Sequence, residues 1–555
     1  MNNFDKGLYF VALGGADDIG MNMYAYCFKG KWIVVDAGYG FLNDDYPGMD
    51  MCYASPEFLK EFEGDIEGLF ITHAHEDHMG AVAQVWPTLK CPVYATSFAA
   101  GLIKERLKEY KMDEIVPLQI VKAGDTVKTS AFDVKFVSLV HSVPQTCGLL
   151  ITCEGAKIFH ATDWRMDDGK LDMLIFDDVA LKKAADEGLD MFVCDSTNVL
   201  LEHQQPSELD IRKNLIELIP SIKGGLVATC FASNIMRLES LVLAADNAGR
   251  TPVLLGRSLQ TNVRIAKECG YFKDVPQTYL PEEVPGLTSD KAFYICTGSQ
   301  ANYRSALDII VKGESKYVKL DRDYTVIFSS KIIPGNEDKI ERMQEKMIAD
   351  GVNVITEETA LVHTSGHPSK DELKKMYEIL KPKIVFPVHG DKRFIREHKR
   401  FASSCGIENV YSAKNGDVFK LSDGKLEKVE EVFADVIGVD RGRSVSLNSE
   451  VVKNRRRIAY NCSLFISAFV SKDNHLLDLE ISSIDILDPQ EWEKLALQTK
   501  EKVFDTLDKE IREKGISQNT TDQIKARIRK EIFKATNIKP VVLLHILKQG
   551  ENQCQ

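Results

Sequence analysis

The sequence predicts an α/β protein: a strand-rich layered domain split by a parallel α/β insert and followed by a small α+β domain. Three observations carry this expectation. The first third alternates short apolar runs with turns, and His or Asp residues close several of those runs. From about Met191 the rhythm becomes strand then helix, repeated, as in a parallel sheet covered on both faces. Near Lys383 a strand and a histidine loop like those of the first third return, so the repeat lies inside a split domain.

In order, Leu8–Leu13, Asn22–Phe28 and Trp32–Asp36 read as consecutive strands, the last two joined by the hairpin signal Lys29-Gly30-Lys31. Leu69–Thr72 is a strand ending in a histidine cluster, and Ser97–Tyr110 has helical spacing with Leu102, Ile103 and Leu107 on one face. Strands recur at Val134–Val140, Gly148–Thr152 and Lys157–Thr162. The repeat then sets strands Met191–Cys194, Gly225–Cys230, Pro252–Leu255, Ala292–Cys296 and Tyr324–Phe328 before helices Glu208–Ile219, Asn234–Ala245, Leu259–Cys269, Tyr303–Lys312 and Glu337–Asp350. Lys383–Val388 and Lys392–Ser403 resume the first domain. The polar stretch Asp440–Lys453 reads as linker. Beyond it lie strands Leu464–Val470 and Leu476–Ile481, helices Trp492–Lys514 and Thr521–Thr536, and a last strand Pro540–Ile546. The expected segments are 1–205 and 356–438 for the split domain, 206–355 for the insert, 439–460 for the linker and 461–555 for the C-terminal domain.

The chain has 555 residues, too many for one core. With 44% hydrophobic, 27% charged and 8% aromatic residues it is an ordinary globular composition. No apolar run is long enough to span a bilayer. Residues Met1 to Gly7 lack the order of a secretory signal, and the 12 cysteines form no CxxC pair, so reduced thiols and a cytoplasmic location are expected. The net charge of −12 argues against a protein that coats nucleic acid, while leaving room for a locally positive groove.

The strongest chemical signal is His73-Ala74-His75-Glu76-Asp77-His78, an HxHxDH loop after an apolar strand. Imidazole and carboxylate at this spacing suit divalent metal, zinc above all. One loop cannot complete two tetrahedral sites. His141, Asp163 and His389 each follow an apolar strand and can complete them; each alone would read as a structural residue. Asp36, at another strand end, is placed to orient a ligand histidine. Asn198, Ser299 and Asn336 stand between strands and helices, where they either cap helices or help cradle phosphate. His363 and His367 flank Ser365-Gly366 in what could be a plain turn. Lys453 and Arg455–Arg457 form a basic run that reads first as a solvated face, and the stripe Trp492, Leu495, Val503, Phe504, Leu507 and Ile511 reads as core or subunit packing.

HxHxDH with His141 and Asp163 resembles the metallo-β-lactamase fold signature. Asp195 in Cys194-Asp195-Ser196-Thr197-Asn198 resembles motif A of the β-CASP nucleic-acid hydrolases, His367 in His363-Thr364-Ser365-Gly366-His367 motif B, and His389 in Pro387-Val388-His389-Gly390 motif C. Phe231-Ala232-Ser233-Asn234, Cys296-Thr297-Gly298-Ser299-Gln300 and Ile333-Pro334-Gly335-Asn336-Glu337 are similar to bacterial ribonuclease J, and the similarity runs from about Val11 to Ile546.

The resemblance implies a metallo-β-lactamase αββα sandwich split by a β-CASP domain. It implies two divalent ions per subunit, Zn²⁺ or Mn²⁺, one on His73, His75, His141 and Asp163, the other on Asp77, His78, Asp163 and His389, with a metal-activated water as nucleophile. His367 would contact the scissile phosphate and protonate the leaving oxygen, held by Asp195. Ser233, Asn234, Ser299, His363, Ser365 and His367 would bind RNA phosphates. The implied activity is 5′-to-3′ exonuclease and endonuclease cleavage of single-stranded, preferably 5′-monophosphorylated RNA in RNA processing and decay, by a cytoplasmic homodimer or homotetramer. Two segments depart from the family: Ala301-Asn302-Tyr303 stands where Gly-Glu-Pro is usual, and Ser482-Ser483-Ile484-Asp485 where Ser-Arg-Gly-Phe is common. The rival readings are a small-molecule hydrolase, such as a thioesterase or lactonase, and a non-catalytic RNA-binding subunit. The insert and the His363/His367 loop weigh against the first, the full ligand set against the second.

Overall fold

The computed structural model describes Phe4, residues 7–169, Leu171, 173–422 and 424–550. The outermost residues of the first and last expected segments, 1–3 and 551–555, lie outside the described residues. The chain divides into two compact units, Met1–Phe41 with Met51–Ile437, and Leu42–Asp50 with Gly438–Gln555. The inclusion of Leu42–Asp50 in the second unit was not expected from the sequence.

In the first unit, an eight-stranded sheet runs in the order Lys425–Glu431, Asp417–Ser422, Leu8–Gly14, Met23–Phe28, Lys31–Val35, Ile66–Phe70, Val93–Thr96, Leu118–Val121. The hairpin at Lys29-Gly30 forms as the sequence indicates. Phe28 pairs with Lys31 across it, and both turn residues have left-handed φ, 53° and 75°, which matches the twist of the flanking strands. A seven-stranded sheet follows the order Asn409–Val410, Ile384–Val388, Met191–Asp195, Ala156–Thr162, Cys147–Cys153, Asp133–Ser138, Thr126–Lys128. Every residue of its strands Met191–Asp195 and Ile384–Val388 is buried, which explains their unbroken apolar sequences.

Side chains alternate faces along these strands. Phe136, Ile158, Val193 and Phe386 enter a core shared with Phe10, Tyr24 and Tyr26 of the first sheet. Their neighbours Val137, Phe159, Phe192 and Val385 pack against Leu181, Leu373 and Tyr377 of the helices Asp178–Asp186 and Lys370–Leu380. On the other flank, the helix Ser97–Glu109 packs on Val93–Thr96 and Leu118–Val121. Two sheets between two helical layers make the αββα sandwich.

The insert is a five-stranded, wholly parallel sheet in the order Thr251–Leu255, Ala292–Cys296, Gly225–Thr229, Tyr324–Phe328, Asn353–Ile355. One expected helix is shorter than the apolar spacing implied. Tyr303–Lys312 does not begin at Tyr303; the helix is Ala306–Val311, capped by Ser305 accepting from Asp308 N. Ala301 and Arg304 have φ of 52° and 57°, and a left-handed backbone cannot continue an α-helix backwards.

The second unit holds a three-stranded sheet, Leu476–Ile484, Ser463–Val470, Val541–Lys548, under the helices Pro489–Lys514 and Gln518–Thr536. Val503, Leu507 and Ile511 of the expected apolar stripe are buried there, with Trp492, Leu495 and Phe504 packed against them. The stretch 439–460 is not an irregular linker. It carries the strand Arg443–Ser446 and the helix Glu450–Asn461, capped by Ser449 accepting from Val452 N. Its Gly and Ser residues mark a turn and a cap rather than a loose tether. The basic run lies on this helix, where Arg455 pairs with Asp440 at 2.5 Å and Arg456 lies 5.6 Å from the Tyr46 ring. Among the described residues no helix is long and apolar enough to cross a membrane.

Candidate active site

The site is built where strands end. Asp36, Asp163 and His389 directly follow Lys31–Val35, Ala156–Thr162 and Ile384–Val388, and Asp195 closes Met191–Asp195. Asp36, Thr162 and His389 have φ of 60°, 50° and 53°. Left-handed backbone at a non-glycine residue costs energy, most for a β-branched one such as Thr162. Three such residues at one place mark a constellation held against local preference. In the HxHxDH loop, His73 and His75 precede the short helix Glu76–Met79, and Asp77 and His78 lie on it. The turn therefore divides the four side chains between two groups.

The first group is His73, His75, His141 and Asp163; the second is Asp77, His78, Asp163 and His389. Within each group the candidate ligand atoms lie within 4.8 Å of one another. His75 Nδ1 is 3.2 Å from His73 Nε2 and 3.0 Å from His141 Nε2. Asp163 Oδ2 lies 3.7 Å from His73 Nε2, 3.6 Å from His141 Nε2 and 3.4 Å from His78 Nε2, so it belongs to both groups. His389 Nε2 is 3.4 Å from Asp163 Oδ1 and 3.6 Å from Asp77 Oδ2. Outer contacts aim the rings. His78 donates from Nδ1 to Asp36 at 2.7 Å, and Asp36 also accepts from Thr72 N at 2.8 Å. His141 donates from Nδ1 to Gly366 O at 2.6 Å. Gly366 must be glycine: a Cβ there would lie 2.6 Å from the His141 ring.

The donor set fits divalent metal. Asp163 Oδ1 is a buried carboxylate oxygen with no hydrogen-bond partner, a costly state unless a cation faces it. Burial pushes His73 and His141 well below the usual imidazole range and His75 down to about 4, leaving their lone pairs free to bind metal. Burial opposes the charged form of His78 too, but Asp163, Asp77 and Asp36 outweigh it and favour positive charge at that point.

His367 stands at the edge of this double group. Its Nδ1 donates to the fully buried Asp195 at 2.7 Å, and its side chain keeps 21% exposure, open to a ligand. Burial works against protonation, but the charges of Asp195 and Asp163 overcome it and hold the imidazole above its usual range. That suits a proton donor. Arg165 fixes the loop, donating to Thr364 Oγ1 at 2.7 Å and Ser365 O at 2.6 Å. Asn198 donates to Ser365 Oγ at 2.7 Å and His367 O at 3.1 Å, and caps no helix.

The other sequence candidates lie further out. Ser233 lines a cleft of about 1470 Å³ with Ala74 and Met79, and Ser299 lines a smaller one of about 210 Å³ with Gln300 and Asn336. Asn234 accepts from Arg237 N and caps the helix Ile235–Asn247. His363 Nδ1 is 3.3 Å from Arg237, and its buried Nε2 has no partner. Sequence reasoning missed Asn22, whose amide nitrogen lies 3.1 Å from both His78 and His389, and also Arg165, Arg237 and Lys331. The one available signal was the nearness of Arg165 and Asp163 in sequence.

An αββα sandwich with paired His/Asp groups at its strand ends, split by a parallel α/β insert, defines a metallo-hydrolase of the metallo-β-lactamase fold. Three family models match in turn: a beta-lactamase superfamily domain over residues 31–184, the beta-CASP domain of ribonuclease J over 223–347, and a Zn-dependent metallo-hydrolase RNA specificity domain over 351–412. The chain is 36% identical to a ribonuclease J of Sinorhizobium meliloti over 77% of its own length and 76% of the relative's. To a ribonuclease J of Thermus thermophilus it is 30% identical over 96% and 94%. A crystal structure of a protein of unknown function from Enterococcus faecalis shares the fold, with a TM-score of 0.54 at 15% identity over 75% of this chain and all of that one. The chain belongs to the ribonuclease J family, and that membership makes it a metal-dependent ribonuclease.

Proposed function

We propose that the enzyme degrades single-stranded RNA in the 5′-to-3′ direction and also cuts it internally, using two divalent ions, zinc or manganese. The observation that carries this reading is the His367–Asp195 pair, joined at 2.7 Å beside two His/Asp groups that share Asp163. His73, His75, His141 and Asp163 would hold one ion, and Asp77, His78, Asp163 and His389 the other. When bound, the ions supply an activated water and offset phosphate charge. Asp36 and the Gly366 carbonyl fix the His78 and His141 rings. Asp195 accepts the hydrogen bond of His367 Nδ1–H and keeps the ring protonated, so Nε2 is the atom that protonates the leaving 3′-oxygen, which would otherwise depart poorly. The RNA 2′-hydroxyl has no part in this scheme, so the products carry 5′-phosphate and 3′-hydroxyl ends. The reading extends, on the family resemblance, to a preference for 5′-monophosphorylated RNA, a homodimer or homotetramer, and a cytoplasmic setting.

The test is cleavage of a 5′-monophosphorylated, 3′-labelled single-stranded RNA by wild type, His78→Ala and His367→Ala with Zn²⁺ or Mn²⁺, with metal content measured alongside. Both variants should lose cleavage, and His367→Ala should keep its metal. A metal-loaded wild type that leaves RNA intact, or products ending mainly in 2′,3′-cyclic phosphate, would overturn the reading.

A further inference from the structure

A half-buried lysine beside the His367 loop has no evident structural need for its charge. Lys331 follows the strand Tyr324–Phe328 of the insert, and its Nζ donates to Asn198 Oδ1 at 2.9 Å. An ammonium has three donors. Among the described residues Asn198 is its one hydrogen-bond acceptor, and no carboxylate lies within ion-pairing distance. Glu357 and Asp195 act on it through space only, and burial dominates, pulling the lysine below its ordinary range. Holding an unpaired cation in a partly dry groove is costly. A neutral side chain would serve Asn198 as well.

The surroundings fix this charge beside the His367 loop. Buried Gln300 clamps the loop from both sides of Lys331: its Nε2 donates to Lys331 O at 2.8 Å and its Oε1 accepts from Ile333 N at 2.9 Å. Asn198 in turn donates to Ser365 Oγ and His367 O, so two hydrogen bonds separate the ammonium from the proton donor's own backbone. Its field reaches both histidines of that loop, disfavouring the charged forms of His363 and His367. In a chain of net charge −12, a cation left without a contacting carboxylate at this point is not part of a general basic surface.

We infer that Lys331 is a phosphate-binding residue of this enzyme, its two free N–H donors taking backbone phosphate oxygens of the RNA next to the His367–Asp195 pair. The inference rests on the ribonuclease reading above. It assigns Gln300 and Asn198 as positioning residues that aim the lysine before substrate arrives, so little order is lost on binding.

The test compares wild type, Lys331→Met and Lys331→Arg in kcat/KM on a 5′-monophosphorylated single-stranded RNA across a series of salt concentrations. Lys331→Met should lower kcat/KM about tenfold at low salt, the size of one charge-assisted hydrogen bond. It should also lessen the slope of log kcat/KM against log salt by about 0.7, the share of one phosphate contact on single-stranded nucleic acid. Lys331→Arg should restore the slope. A Lys331→Met enzyme with the wild-type slope, whether or not its activity or thermal midpoint falls, would overturn the inference alone. A metal-loaded wild type that cuts no RNA would overturn the reading beneath it as well.

Discussion

Replacing Arg237 with methionine tests how the insert holds the His367 loop. Arg237 is fully buried in the helix Ile235–Asn247. It grips Glu208 with two parallel bonds, Nε to Oε1 at 2.7 Å and Nη2 to Oε2 at 2.8 Å. Its remaining nitrogen reaches Ser329 Oγ at 2.8 Å, Val362 O at 2.9 Å and His363 Nδ1 at 3.3 Å. Methionine fills the space and supplies no donor. Glu208, only 4% exposed, is then a buried carboxylate without its cation. Breaking such a pair from one side costs about 3–5 kcal/mol. The Val362 carbonyl keeps its bond from Ser329 Oγ at 2.7 Å but loses Arg237, and its segment leads into His363, so loop order should fall with stability, and kcat/KM by about tenfold or more. The chain has several cores, so one global unfolding energy is ill-defined. The assay is native-state hydrogen exchange of the Ile235–Asn247 amides, which reports local opening. Arg237→Met should open that helix more readily by about 4 kcal/mol, and adding Glu208→Met should recover about half, because the stranded charge is gone. Exchange within about 1 kcal/mol of wild type in the single variant, or no recovery in the double one, would refute the reasoning.

Two further outcomes follow from the same geometry. His398 touches Ser196 at 2.8 Å and Tyr377 at 2.6 Å, and burial holds it down at about 3. Since the unfolded value is near 6.5, its contribution to stability is full above pH 6.5 and is lost as the pH falls towards 3. About 2 kcal/mol disappears between pH 6.5 and 5. His398→Gln should flatten that limb in native-state hydrogen exchange of the Lys392–Ser404 amides at the two pH values, and an unchanged pH dependence would count against it. Because Asp163 serves both His/Asp groups, Asp163→Asn should lower occupancy at both positions, whereas His141→Ala should chiefly empty one; bound metal per chain after dialysis distinguishes them, and equal losses would deny the sharing.

The fold and the candidate metal ligands were legible largely for one physical reason: strands buried on both faces read as unbroken apolar runs, and polar groups able to do chemistry stand at or just past their ends. HxHxDH, Asp163, Asp195 and His389 obey that rule, whereas His141 lies a little past Asp133–Ser138, a strand of alternating burial. The supporting residues do not. Asn22, Arg165, Arg237 and Lys331 act through partners distant in sequence, and nothing local distinguishes a buried arginine from a solvated one. The helix Glu450–Asn461 was hidden because Val452 is its one buried residue while Val451, Ile458 and Tyr460 are exposed among its charges, so it lacks the buried apolar stripe that betrays other helices. The start of Ala306–Val311 was misplaced because left-handed φ at Ala301 and Arg304 leaves no trace in residue type, where glycine would have.

The strand Ile384–Val388 lies against Met191–Asp195, with the whole insert synthesised between them. Leu8–Gly14, among the first strands made, finds its partner in Asp417–Ser422. A chain emerging from the ribosome therefore presents the HxHxDH loop, His141 and Asp163 early, while His367 and His389 are still untranslated. Until the late segment arrives and docks, one candidate ligand of the second group and the proposed proton donor are missing. The centre is therefore begun early and closed last, by the order in which the chain is written.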